Sequence, residues 1–366
     1  MTRPDGQPGQ AERVSTLELF FDLVFVFTIT QLTAVLSADP TLRGLLRVVL
    51  MLGVIYWMYG GYAWLTNAVA PDRAARRLVL LGGMAGYLVL ALTIPQAFAG
   101  GDLAFGLAYL VVVSIHAGLF SRTSEAGTVR ALVRLAPFNL ASALLVLGAV
   151  VAGGTAGYLL WAAAFALEWV TPLVTGIGGF RVAPAHFVER HGLVVIVALG
   201  ESVVAIGIGA AGLPVDLALV SVAVLGLVLA ACLWWAYFGG DDSRAEEALA
   251  AVPEDRRAAV AVRAFGYWHL PILLGIVALA AGLKDAIGHA FEPLDLNHAL
   301  LLAGGVAVFL AGDLGFRRIL DLGPARHRAA AAVLALATIP AGLAVSAVLQ
   351  LVVLGVVLCG SLAAER

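Results

Sequence analysis

Glu18-Leu-Phe-Phe-Asp22-Leu-Val-Phe-Val-Phe27 puts two carboxylates inside a run, Val14 to Leu36, that is otherwise apolar or neutral. The run is long enough to cross a bilayer as a helix, which takes about 20 residues. Positions i and i+4 share a helix face, so Glu18 and Asp22 point the same way. A charged acid near the middle of the hydrocarbon costs at least about 2.5 kcal/mol, so such residues face protein or water and mark ion or proton paths. Glu18 and Asp22 are therefore the first candidate ion- or proton-binding residues.

The rest of the chain has the same character. Hydrophobic residues make up 61% and charged residues 13% of the 366, and mean hydropathy is +0.98. Soluble domains carry about 25% charged residues. The composition therefore specifies a polytopic membrane protein and excludes a soluble enzyme or a nucleic-acid binder. Lipid offers backbone groups no partners, and the sequence shows no ten-residue alternation of the barrel type, so the expected fold class is all-α. Twelve spans are read at about 15–36, 44–65, 78–98, 103–120, 134–152, 156–175, 192–212, 217–238, 260–281, 298–316, 329–343 and 345–362. The last two form a nearly continuous apolar stretch divided only by Ile339-Pro-Ala-Gly342; a single kinked helix there would give eleven. Met1 to Glu12 is polar and lacks the apolar core of a cleaved signal, so the first span is expected to stay in the mature chain.

With the amino terminus inside, 19 of the 22 basic residues fall in inside segments, leaving Arg43, Arg47 and Lys284 outside. The positive-inside rule then puts both termini in the cytoplasm, with the Lys284 to Asn297 loop outside. The chain also repeats. Glu201 follows Asp22 by 179 residues, Trp235-Ala-Tyr237 follows Trp57-Met-Tyr59 by 178, and Arg256-Arg257 and Gly266-Tyr267 follow Arg76-Arg77 and Gly86-Tyr87 by 180. This predicts a parallel 6+6 duplication: tail 1–14, first repeat 15–175, linker 176–191, second repeat 192–362 and tail 363–366.

Glu201 lies within the apolar run after His186-Phe-Val-Glu-Arg-His-Gly, with Gly200, Gly207 and Gly209 permitting close helix approach. His269 precedes Pro271, which frees a carbonyl and tends to kink a helix. If the first, seventh and ninth spans enclose one cavity, Asp22, Glu201 and His269 would form an acid/acid/imidazole set suited to proton relay. Glu168, followed by Trp169 and Pro172, is a further candidate for that cavity, and His116 is a lesser one. Asp313 is expected to pair with Arg317 one turn on. Trp57, Tyr59, Trp234, Trp235 and Tyr237 read as packing or interfacial aromatics. Cys232 and Cys359 sit in apolar runs, where a thiol behaves as a small hydrophobe, so no disulfide, metal site or cofactor is expected. Phosphate-loop, metalloprotease and serine-hydrolase motifs do not occur, and Gly239 to Arg263 mixes acids and arginines as a connector would.

Taken together, Glu18-Leu-Phe-Phe-Asp-Leu-Val-Phe-Val, His186-x-x-Glu-Arg-x-Gly-Leu, Leu199-Gly-Glu-Ser-Val203 and Leu233-Trp-Trp-Ala-Tyr-Phe238 resemble the bacterial low temperature requirement protein A family over nearly the whole chain. The resemblance implies a multi-pass bacterial inner-membrane protein; the family takes its name from a growth phenotype and not from a substrate. Phe238-Gly-Gly-Asp241 departs from the pattern by separating the acid from the aromatic pair. Over one helix, Phe20-x-Asp22-x-x-Phe25-x-x-x-Ile29-Thr30 is also similar to bacterial relatives of the transmembrane protein 175 potassium channels. The function expected is a secondary, proton-linked transporter of an ion or small molecule, not an enzyme, with the lipid bilayer as its surroundings. A cation channel and a non-transporting scaffold are the alternatives, and the sequence leaves substrate and oligomeric state open.

Overall fold

The computed structural model describes residues 14–68, 74–120 and 126–365, and every regular element among them is helical. The tail 1–13, Arg73, Arg122 and Arg366 lie outside the described residues. The first six helices are α1 (Thr16–Ala38), α2 (Leu42–Ala68), α3 (Ala74–Thr93), α4 (Ala104–Phe120), α5 (Ala126–Ala152) and α6 (Gly154–Thr175). There follow α7 (Pro184–Gly209), α8 (Leu217–Phe238), α9 (Asp241–Ala251), α10 (Glu254–Ala261) and α11 (His269–Gly288), then α12 (Leu296–Leu320), α13 (Arg326–Leu336), α14 (Ile339–Ala344) and α15 (Ala347–Ala364). Among the described residues, 11 helical stretches are long and apolar enough to cross a membrane, and Ala104–Leu119 is a shorter apolar helix. With that short helix counted, the passes follow the twelve expected spans in order.

Two departures have physical causes. Helix α7 begins at Pro184, where proline suits a first turn, rather than at residue 192 where the apolar run starts. Its first two turns therefore carry His186 and Arg190, which sequence alone assigned to a linker. The ninth pass is interrupted by a π turn, Val262–Tyr267, between α10 and α11. Pro271 lacks the N–H that would close the regular ladder there, and π turns often mark functional positions.

The divided end of the chain forms two helical stretches, Arg326–Ala344 and Ala347–Ala364, each long and apolar enough to cross a membrane. Arg328, in the first turn of α13, bonds Glu365 just beyond α15, Nε to Oε1 2.9 Å. In one straight helix residues 37 apart would be separated by roughly 55 Å. The chain instead turns at Val345, and Ser346 caps α15 by accepting from the Leu349 N–H at 3.3 Å.

Contacts between loop ends define two faces. On one, the Val14 N–H donates to Glu189 (3.2 Å), the Asn67 amide to the Arg181 carbonyl (2.9 Å) and Arg134 to the Gly178 carbonyl (2.8 Å), while Arg181 pairs with Glu254 (3.6 Å). Arg328 and Glu365 lie on this Arg-rich face. On the opposite face Arg47 donates to Tyr158 (2.6 Å), and main-chain bonds run from Gly101 to Val150, Leu294 to Gly342 and Ala347 to Glu292, each 2.9 Å.

Helix α11 packs on α1, α7 and α12. Its junction with α12 depends on glycine: a Cβ on Gly275 would lie 2.5 Å from the Phe309 nitrogen, and one on Gly305 would lie 2.5 Å from that of Leu279. Lipid gives helices no hydrophobic drive to associate, so this close backbone contact supplies the packing.

Candidate functional site

The two acids of α1 meet α7 in a buried charge network. Glu18 belongs first to its own helix: its carboxylate accepts from the Ser15 N–H (2.8 Å) and hydroxyl (2.7 Å) in a capping box. Its other oxygen accepts from Arg190 (2.9 Å) and contacts His186 Nε2 (3.0 Å). Arg190 also donates through Nε (3.3 Å) and Nη2 (3.1 Å) to Asp22 Oδ1, which takes a third bond from the Tyr59 hydroxyl (2.9 Å). Thr66 accepts from Arg190 Nη1 at 2.6 Å, and the guanidinium lies 5.5 Å from the Phe21 ring centroid. Arg190 and Asp22 are each 1% exposed, so the cluster is closed to solvent. Asp22 Oδ2 and His186 Nδ1 are the polar atoms of the cluster without a hydrogen-bond partner among the described residues.

Farther along the same pair of helices, Glu201 accepts from the Thr30 hydroxyl at 2.6 Å. Thr30 is eight residues beyond Asp22, about 12 Å along α1, so α1 and α7 run side by side in the same direction through two polar contacts.

Helix α2 divides this network from a cavity. Tyr59, Tyr62 and Thr66 face α1 and α7, where Tyr62 stacks on Phe21 with centroids 5.0 Å apart. Tyr56, Trp57, Gly60, Gly61 and Trp64, on the other side of the helix, line a cavity of about 90 Å³ completed by His116, Asn139 and His191. The π turn contributes Val262 and Gly266 to the wall, and its Phe265 carbonyl accepts from the Tyr56 hydroxyl at 2.5 Å.

The expected set of Asp22, Glu201 and His269 is not brought together by hydrogen bonds or ion pairs. The helices carrying them do pack against one another, but each residue has its own partners. His269 is held at both ring nitrogens, Nε2 by the Tyr237 hydroxyl (2.7 Å) and Nδ1 by the Ala264 carbonyl (3.0 Å). Its ring is 5.7 Å from that of His191, one layer behind the cavity wall. Glu168 accepts from Tyr109 (2.5 Å) and Ser142 (2.7 Å) between α4, α5 and α6, one turn before the cavity-lining Pro172.

Asp313 does not form the expected pair within its own helix. It accepts from Arg328 of α13, while Arg317 reaches Asp241, which also binds Arg244 and Arg328. The two glycines after Phe238 let the chain turn, Gly240 at φ +109°, so that Asp241 starts α9 buried beneath three arginines.

Sequence reasoning placed Arg190 and His186 in a linker, read Tyr59 as a packing aromatic and gave Asp241 no role. The available signal for Arg190 was electrostatic: two buried acids on one face need a cation, and His186-x-x-Glu-Arg190 stands at the head of a helix that must pack nearby.

The fold and these contacts define a polytopic helical membrane protein whose first and seventh helices are joined by a solvent-shielded carboxylate–guanidinium network. The family model described as bacterial low temperature requirement A protein (LtrA) matches residues 13–363, and the chain belongs to that family. An uncharacterized protein of Rhizobium meliloti (strain 1021) is 28% identical over 326 residues, covering 84% of this chain and 78% of that protein.

Proposed function

We propose that this protein is a proton-linked secondary transporter of a small organic solute, with Asp22 as its coupling group and Glu18 and Glu201 as further carboxylates of the α1–α7 joint. The observation that carries the reading is the placement of Asp22. It belongs to a charge network on one side of α2, the cavity lies on the other, and its Oδ2 has no hydrogen-bond partner among the described residues and so can take a proton. A proton there cancels one of the two negative charges facing Arg190 and weakens the α1–α7 tie. Movement of α2 then reaches the cavity wall. Aromatic faces, two imidazoles and an amide suit a small amphipathic molecule better than a bare metal ion. His191 links the cavity to His269, which on this reading serves as a proton partner. Glu168 steadies the helices behind Pro172.

Under the same proposal the Arg-rich face is cytoplasmic by the positive-inside rule, and residues 15–175 and 192–362 are parallel repeats. The contact of Val14 with Glu189 supports this, because α1 and α7 start at the same face, with the six passes α1 to α6 separating the two starts.

The test is flux into sealed liposomes across a panel of cations and small metabolites under an imposed pH gradient. A saturable, gradient-driven flux that Asp22→Asn abolishes and Glu201→Gln reduces is expected. A cation channel, the reading favoured by the motif around Phe20 and Asp22, would instead conduct down an electrical gradient without proton movement. If wild type and both variants behave alike for every substrate while folded, the protein is a scaffold and the acids are packing groups.

A further inference from the structure

We infer that the arginine-lined pocket on the Arg-rich face is a binding site for the phosphodiester headgroup of an anionic phospholipid. The pocket is separate from the aromatic cavity, encloses about 470 Å³, and lies where α8, α9, α12, α13 and α15 converge.

Charge counting gives the class of ligand. Arg244, Arg317, Arg326 and Arg328 line the pocket, against Asp241, Asp313 and Glu365 as the carboxylates bound to them. Four positive and three negative charges leave one positive charge, the complement of a singly charged phosphodiester. The surplus is localised on Arg326, which has no carboxylate partner among the described residues and whose Nε donates to His327 at 3.2 Å. Arg317 is 4% exposed, and its Nε has no hydrogen-bond partner among the described residues although the side chain lines the pocket. Helix α13 starts without a side-chain cap, and its first three residues line the same pocket, so first-turn N–H groups lack side-chain acceptors beside the arginines.

The walls identify the source of the phosphate. Trp235, 47% exposed on α8, and Leu362 of α15 form an apolar side to the pocket. Tryptophan favours the membrane interface, and basic pockets between spanning helices bind anionic headgroups. A phospholipid fits both halves, its phosphate among the arginines and its acyl chains along Trp235 and Leu362. A free phosphate ion would use only the first.

The full-length protein, released from nanodiscs containing equal phosphatidylglycerol and phosphatidylcholine, tests this by native mass spectrometry. Wild type is expected to retain phosphatidylglycerol preferentially. Arg326→Gln should lower that retention about fivefold, the loss of one basic contact at a headgroup, whereas Arg326→Lys keeps it and Arg43→Gln on the opposite face leaves it unchanged. Arg326 makes none of the buried ion pairs, so the variant folds, and an unchanged elution profile confirms it. Equal retention of the two lipids, or retention unaffected by Arg326→Gln, overturns the proposal. Displacement of the lipid by inorganic phosphate at millimolar concentration overturns it in favour of a free-anion site.

Discussion

Arg190 holds two carboxylates from another helix, and its removal would leave both buried without a counter-ion. Arg190→Met is therefore expected to destabilise the protein by about 3–5 kcal/mol, the range for breaking a buried pair from one side. The triple variant Glu18→Gln, Asp22→Asn, Arg190→Met removes all three charges together and should recover most of that loss, because an apolar or neutral replacement of a whole buried network is often close to neutral. Thermal unfolding of the purified single and triple variants in one detergent decides it. A triple variant no more stable than Arg190→Met would mean that the charges are needed for assembly and do not merely satisfy one another. The network's acids were legible in the sequence because a carboxylate stands out in an apolar run. Its arginine was not, since basic residues flanking spans serve equally well as topology markers, and Arg190 was counted as one.

At the scale of elements, the pairing of α8 with α15 brings the thiols of Cys232 and Cys359 to 3.6 Å, although 127 residues separate them. Both are free, Cys359 exposed and Cys232 buried. Oxidation with copper phenanthroline, which takes two electrons from the thiol pair as two protons leave, should form an intramolecular disulfide. After cleavage at a protease site introduced in the loop between α11 and α12, the two fragments should stay joined until a reductant is added. Fragments that separate without reductant would show that α15 does not pack on α8. Apolar periodicity marked both helices as spans, yet spacing in sequence says nothing about which lipid-free faces meet. The same limit applies to Asp313, whose acid was visible while its partner Arg328 arrives from the next helix. The π turn at Val262–Tyr267 had only Pro271 as a written trace. The break between α14 and α15, by contrast, was marked by Ile339-Pro-Ala-Gly342 and is found just after it.

For the molecule as a whole, the asymmetry of 19 basic residues against 3 predicts that the termini are cytoplasmic and the segment between α11 and α12 is outside. Reporter fusions in the Lys284 to Asn297 segment and after Arg366 should give opposite signals, and equal signals would mean that one pass is miscounted. The two faces so assigned are tied differently. Distant segments on the Arg-rich face are joined mostly through arginine side chains, as in Arg181 with Glu254 and Arg328 with Glu365. On the other face they are joined mostly by main-chain bonds, as in Leu294 with Gly342 and Val348 with Ala290. Dissolved ions screen exposed charge pairs over about 8 Å at physiological ionic strength and leave amide hydrogen bonds nearly untouched. Added salt is therefore expected to weaken the exposed Arg181–Glu254 tie of the Arg-rich face while the main-chain ties of the opposite face hold, so the Arg-rich face is the latch that ionic strength reaches and the amide-tied face the hinge.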